Sequence, residues 1–218
     1  MEATRILAIR HGETAWNVDT RIQGQLDIDL NDMGRWQAQR VGQALTQESV
    51  QAIYSSDLRR AFHTASVIAK ALHEQSLEVT PHVNLRERHF GHFQGQTWAD
   101  IEAQWPEDAR LWRGRDPDWA PESGESLSML RERVARCVTE VARQHMGGQI
   151  VLVAHGGVMD VLYRLATGQD TRSPRTWQLG NAAINRLLWT PQGLTLVGWG
   201  HVEHLQDMTG APRDESSV

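Results

Sequence analysis

Two short runs constrain this chain more than anything else in it. Ile6–Ile9 (ILAI) and Ile150–Val153 (IVLV) are apolar, rich in β-branched residues and free of polar alternation. A strand with one face in water alternates, whereas a strand covered on both faces does not. Both runs therefore predict strands of a parallel sheet with helices on each side. Each run leads directly into histidine and glycine: Arg10-His11-Gly12 after the first, Ala154-His155-Gly156-Gly157 after the second. In open α/β sheets, ligands gather beyond the carboxyl ends of parallel strands. If the two runs share a sheet, His11 and His155 emerge at one edge. Gly156 and Gly157 then open a helix whose N–H groups and dipole favour an anion.

The rest of the chain keeps an α/β rhythm. Ala52–Tyr54 is a third strand, and Leu77–Val79, Ile184–Trp189 and Leu194–Trp199 carry weaker strand signals; Pro191-Gln192-Gly193 makes the last two a hairpin. Asn31 is placed to cap a helix from Asp32 to about Gln47. Ser56 or Asp57 is placed to cap a second, with Leu58, Ala61, Ala65, Ala69 and Leu72 at helical spacing. A third helix runs from about Glu125 to His145 and stops at Gly147-Gly148, and a fourth follows His155-Gly156-Gly157. This alternation argues a mostly parallel central sheet between helical layers.

Residues 88–123 break that rhythm. They hold four of the nine tryptophans (Trp98, Trp105, Trp112, Trp119), three prolines and mixed charges, and read as an inserted lid. Residues 1–205 then form one domain, with a flexible polar tail over 206–218.

Charge narrows the function. A formal net charge of −5 and a pI near 6.0 argue against a nucleic-acid surface, so any anion must bind in a local pocket. There is no apolar run long enough to span a bilayer and no basic-then-apolar leader. The single cysteine, Cys137, lies at core spacing in a helix, which suits a reducing compartment. A cytoplasmic protein is the expectation.

Two further clusters point to chemistry. In Ser55–Ala65, Arg59 and Arg60 fall in the first turn of the second helix, where cations are disfavoured unless an anion sits in front of them. Glu87 follows soon after a strand and sits among Arg86, Arg88, His89 and His92, a candidate proton donor at a pocket mouth.

Together these segments resemble the histidine phosphatase superfamily, the phosphoglycerate-mutase-like proteins. The resemblance rests on Arg10-His11-Gly12-Glu13-Thr14 with Asn17 and Ile22-Gln23-Gly24, on Ser56-Asp57-Leu58 through Ala65, on Leu85-Arg86-Glu87 through Gly95, and on Val153-Ala154-His155-Gly156-Gly157. It implies a three-layer α/β/α sandwich with an inserted lid. It implies His11 as a nucleophile that becomes phosphorylated, Arg10, Arg60 and His155 as phosphoryl-binding groups, and Glu87 as general acid. Asn17, Gln23, Gly24, the Gly156 backbone and Asn181 would line the substrate pocket. The expected partner is a small-molecule phosphate ester, with no nucleic acid, membrane, metal or other cofactor. An exposed strand edge or amphipathic helix would support a homodimer.

The roles suit the reaction. A phosphate monoester is nearly a dianion, and its transfer is promoted mainly by positioning and charge. Guanidiniums supply fixed forked donors. An imidazole is mostly neutral at pH 7, so His11 needs no strong base, only a hydrogen bond that fixes its tautomer. Glu87 must start protonated to protonate the leaving alkoxide, and afterwards can take a proton from the attacking water. Gly12 is expected to let the chain turn and to leave room for the ligand. His89/His92 and His201/His204 have ligand-like spacing without third and fourth partners.

Three functions are weighed: phosphatase, cofactor-dependent mutase, and non-catalytic phospho-ligand binder. The resemblance implies a lysine after the glutamate motif and an adjacent arginine pair in the lid for a mutase. Here Gln96–Trp105 has no lysine, and Arg113 and Arg115 are separated by Gly114. Hydrolysis is therefore favoured.

Overall fold

The computed structural model describes residues 2–72 and 77–206. Six strands form one sheet: β1 (Thr4–Arg10), β2 (Ala52–Ser55), β3 (Val79–Pro81), β4 (Gln149–Ala154), β5 (Ile184–Thr190) and β6 (Gly193–His201). Their order is β3-β2-β4-β1-β5-β6, with β5 and β6 antiparallel and the other four parallel.

The absence of alternation in β1 and β4 follows from cover on both faces. Ile6, Ala8, Ile150 and Leu152 pack toward α6 (Leu127–Arg143) and α7 (Gly156–Thr167). Leu7, Ile9, Val151 and Val153 pack toward α2 (Asp32–Ala44) and α3 (Arg59–Ala71). Every residue of β4 is buried. The result is the expected three-layer α/β/α sandwich.

Several boundaries differ from the sequence expectation. The α2 helix ends at Ala44, because Leu45 buries itself as the C-cap. The α3 helix has Leu58 as N-cap, not Ser56 or Asp57. Asp57 is drawn away by Arg86, whose Nε donates to Oδ1 at 2.7 Å. Asp27, from a distant loop, accepts from Arg59 N at 2.7 Å and takes over the helix start. Ser126 caps α6. Instead of Leu77–Val79, the β3 strand covers Val79–Pro81 and pairs only with β2. The predicted hairpin forms, with Gly193 in a positive-φ conformation.

The tryptophan-rich stretch is more regular than its composition predicts. It contains α4 (Trp98–Gln104), started by a Thr97–Asp100 capping box, and α5 (Pro106–Arg113) with proline in its first turn. Phe93, Ile101 and Ala109 form a small separate core, surrounded by Trp98, Trp105, Trp112 and Trp119. This core includes Ile22 from the loop before α2. Ile22 N donates to Gln96 O at 2.9 Å, and Gly95 N donates to Ile22 O at 2.7 Å. The stretch is thus stitched to residues 22–25 by backbone as well as side chains. Of the expected C-terminal tail, residues 207–218 lie outside the described residues.

Candidate active site

The registered pair Arg10–Ala154 ends the β1–β4 ladder, and the next residue on each strand is histidine. His11 N donates to Ala154 O at 3.0 Å, so the first residue past the ladder is still tied to the sheet. The two imidazoles face each other with centroids 5.2 Å apart, and both residues are buried.

The His11 ring has a defined tautomer. Its Nδ1 lies 2.7 Å from Gly12 O, a carbonyl that can only accept, so Nδ1 carries the proton. Nε2 is left with the free lone pair. Arg60 Nε lies 3.3 Å from it, while Nη1 and Nη2 donate to Leu26 O and Gly24 O at 2.8 and 2.6 Å. Burial holds the His11 pKa well below 6.5, reinforced by Arg60 and Arg10 and opposed by the Gly12 carbonyl. All but the last of these causes favour the neutral imidazole.

His155 is also held well below 6.5, by burial first, then by Arg60, His11, Arg10 and Arg133. Neither of its buried ring nitrogens has a hydrogen-bond partner. Such a group is costly unless the site is built to receive something polar. The cost is paired with two buried guanidiniums, each about 1% exposed: Arg60, and Arg10, which donates through Nη1 to Leu179 O.

Helix α3 and the loop before β5 hold the His11 segment from behind. Gly12 N donates to Thr64 Oγ1 at 3.1 Å, and Thr64 Oγ1 donates to Arg60 O at 2.8 Å. Asn181 Nδ2 donates to His11 O at 3.0 Å. Gly12 also meets a packing demand beside the expected turn. A Cβ on it would lie 2.4 Å from Gly34 O, so glycine is needed for backbone packing against α2.

Glu87 is 8% exposed and its carboxylate is held at both oxygens: Arg88 N donates to Oε1 at 2.7 Å and Gly157 N to Oε2 at 3.0 Å. The group that takes the Gly157 amide at the start of α7 is thus the Glu87 carboxyl. A Cβ on Gly157 would meet Glu87 Oε1 at 2.3 Å.

These groups line a cavity of about 460 Å³. Arg10, His11, Asn17, Gln23, Gly24, Arg60, Glu87 and Gly156 all reach its wall. His155 and Asn181 stand behind it, each 0% exposed. Asn17 is fixed by the Thr14 capping box at the short helix α1 (Ala15–Val18). Of the two candidate arginines in α3, Arg60 turns inward, and Arg59 pairs outside with Asp27 and Asp29 at 3.1 and 3.5 Å.

The outer half of the cavity was not foreseen. Arg21, Arg88, Arg115, Arg131 and Arg175 line it with Trp112, Phe90 and Asp160. Arg88 is pushed down to about 10 by burial, despite Glu125 and Glu87. Its guanidinium stacks over Trp112 at 4.5 Å. Arg115 sits in a left-handed conformation, φ 48°, that a non-glycine residue seldom adopts. Its Nε donates to Thr171 O at 3.2 Å. Asp160 is already bonded to Arg164 Nε at 2.8 Å, and Arg115 Nη2 stands off at 3.8 Å. The repeated Trp and Arg of this stretch were visible, but not which of them would turn inward.

No group of three or more His, Cys, Asp or Glu side chains among the described residues is arranged to hold a metal ion. The histidine pairs noted in the sequence are engaged locally. His92 Nε2 is 3.1 Å from Asp108, and His204 Nε2 is 3.0 Å from Ala182 O. No helix among the described residues is long and apolar enough to cross a membrane.

This is a three-layer α/β/α protein that gathers two histidines and two arginines beyond the carboxyl ends of adjacent parallel strands. The chain belongs to the histidine phosphatase superfamily (branch 1), whose family model matches residues 6–202. It is 38% identical to phosphoglycerate mutase-like protein 4 of Arabidopsis thaliana, over 95% of this chain and 89% of that protein. It is 35% identical to a metal-independent phosphoserine phosphatase of the same plant, over 95% and 85%. The native structure of a mycobacterial glucosyl-3-phosphoglycerate phosphatase superposes with a TM-score of 0.81 at 35% identity, covering 92% of this chain and all of that one. The chain is a phosphoric monoester hydrolase of the histidine phosphatase type.

Proposed function

We propose that this protein hydrolyses a small-molecule phosphate monoester through a phosphohistidine on His11, without a metal ion. The observation that carries the reading is the buried imidazole pair, with His11 Nε2 unprotonated and accepting only from Arg60 Nε at 3.3 Å, and both nitrogens of His155 lacking a partner among the described residues. Nε2 attacks phosphorus as the ester P–O bond breaks. Arg10, Arg60 and His155 take up charge on the transferring group, and Glu87 protonates the departing oxygen. Water then attacks the phosphohistidine, giving its proton to Glu87. Asn17, Gln23, Gly24 and Gly156 border the substrate, and Asn181 holds the His11 backbone.

The substrate we propose carries a second anionic group, a carboxylate being the simplest. The arginines of the outer cavity support this, since Arg88, Arg115 and Arg175, with Arg21 and Arg131 beside them, raise a positive potential that Asp160, Glu87 and Glu125 offset only in part. The phosphoserine and glucosyl-3-phosphoglycerate in the names of two relatives both have a carboxylate. A mutase is disfavoured by the lid. Arg113 pairs with Glu102 and stacks over Trp98 at 5.0 Å, so Arg115 stands in the cavity without it.

Residues 1–205 are read as one domain with a lid over 88–123, acting in the cytoplasm. The open edge of β6, where Val197 is 58% exposed, is where a homodimer would pair. Light scattering tests that pairing.

Hydrolysis of 4-nitrophenyl phosphate in excess chelator tests the chemistry. Turnover and an acid-labile, base-stable phosphoprotein are expected, both lost in His11→Ala. Full activity in His11→Ala would sink the mechanism. Isomerisation of 3-phosphoglycerate outrunning phosphate release would establish the mutase instead.

A further inference from the structure

Arg133 lies in the middle of α6, outside the cavity wall, with 14% of its side chain exposed. It has five N–H groups, and the structure gives all five an acceptor. Nε and Nη2 grip the Glu125 carboxylate at 2.6 and 2.8 Å. Nη1 donates to Asn84 O and Arg86 O at 2.9 and 2.7 Å, and Nη2 also donates to Glu87 O at 2.9 Å. Glu125 completes the hold. It accepts from His89 N at 3.2 Å through Oε2, its backbone N donates to His89 O at 2.7 Å, and its carbonyl accepts from Arg88 Nε at 2.7 Å.

Surface stabilisation does not require this pattern. One guanidinium collects three carbonyls from residues 84–87, and its carboxylate partner collects the amide of residue 89. The backbone on both sides of Glu87 is thereby fixed, while the Glu87 side chain is aimed by Arg88 N and Gly157 N. A buried bidentate ion pair is expensive to desolvate, and its geometry must be fully used to offset that cost. Here it is used to set one short segment of main chain.

We propose that the Arg133–Glu125 pair is a positioning device for the proton donor: it sets the Glu87 carboxyl against the leaving-group oxygen without touching substrate. The proposal rests on the reading of Glu87 as general acid. It separates Arg133 from Arg10 and Arg60, whose charge acts on the phosphoryl group whatever the leaving group. A donor matters most when the departing oxygen is basic and little when it is a stable phenolate.

The experiment compares kcat/KM for 2,4-dinitrophenyl phosphate and for an alkyl phosphate in wild type, Arg133→Lys, Glu125→Gln and Glu87→Gln. The quantity kcat/KM ends at phosphohistidine formation, so the later role of Glu87 does not enter. The ratio of the two substrates is also independent of how much of a variant is folded. Arg133→Lys and Glu125→Gln are expected to lose about tenfold or more on the alkyl ester and less than about threefold on the dinitrophenyl ester. Glu87→Gln should show the same pattern at about 100-fold or more. Equal losses on both esters, or no loss on either, in Arg133→Lys would overturn the positioning role while leaving Glu87 intact. Equal losses in Glu87→Gln would remove the general acid itself and the inference with it.

Discussion

Arg60 Nε lies 3.3 Å from His11 Nε2, placing a permanent cation beside the atom read as the nucleophile. That arrangement requires His11 to stay neutral, and burial keeps it so. An imidazole in the unfolded chain titrates near 6.5, whereas folding lowers His11 and His155 well below that value. Their contribution to stability is fully present above about 6.5 and is lost as pH falls from there through the folded-state values. The loss approaches about 1.4 kcal/mol per pH unit for each imidazole. Urea unfolding at pH 7.5 and pH 5.5 should show this decline, and His155→Gln should flatten it. An unchanged slope in that variant would remove His155 from the effect.

Gly157→Ala separates stability from catalysis. Alanine suits the first turn of α7 better than glycine by up to about 1 kcal/mol, yet its Cβ displaces Glu87 Oε1. The melting temperature should stay close to wild type. The kcat/KM for an alkyl phosphate should fall about 100-fold. Wild-type activity in this variant would mean that Glu87 is not needed where the structure puts it.

Gly34→Ala does the reverse. Its Cβ would lie 2.0 Å from Glu13 O, a backbone atom just past β1. Only a shift of α2 against that segment relieves the overlap, at about 3 kcal/mol. A calorimetric melt should fall by on the order of 10 °C.

Arg115→Ala tests the outer cavity. The variant should lose about tenfold to 100-fold in kcat/KM on a carboxylate-bearing phosphate ester, the value of a charged hydrogen bond. On 4-nitrophenyl phosphate it should stay within about twofold. Equal losses on the two would assign Arg115 to loop structure through Thr171 alone.

The inner site was legible because its residues sit next to strong strand signals or at a helix start. ILAI and IVLV placed His11 and His155, and the unusual cation in the first turn of α3 marked Arg60. The choice between Arg59 and Arg60 was not legible. Asp27, 32 positions away, and its neighbour Asp29 draw Arg59 outward, and no local pattern encodes that contact. Nor did sequence reveal that Glu87 occupies the start of α7, or that Arg133 spans Asn84 to Glu87. These are contacts across 46 to 70 positions, made by side chains that surface statistics assign to solvent. Gly12 was read as a turn that leaves room for the ligand, and its packing against Gly34 is visible only once α2 is in place.

The register of β1 with β4 has one more consequence. Arg10 is opposite Ala154, so His11 and His155 leave the sheet side by side. Parallel neighbours are held about 4.8 Å apart by their own hydrogen bonds, and the imidazole centroids stand 5.2 Å apart. The spacing of the two imidazoles is therefore set by the rungs of a β-ladder, a dimension that backbone hydrogen bonds hold fixed. Loops can lengthen and arginines can be exchanged for other substrates without resetting it, so chemistry and selectivity are free to drift separately.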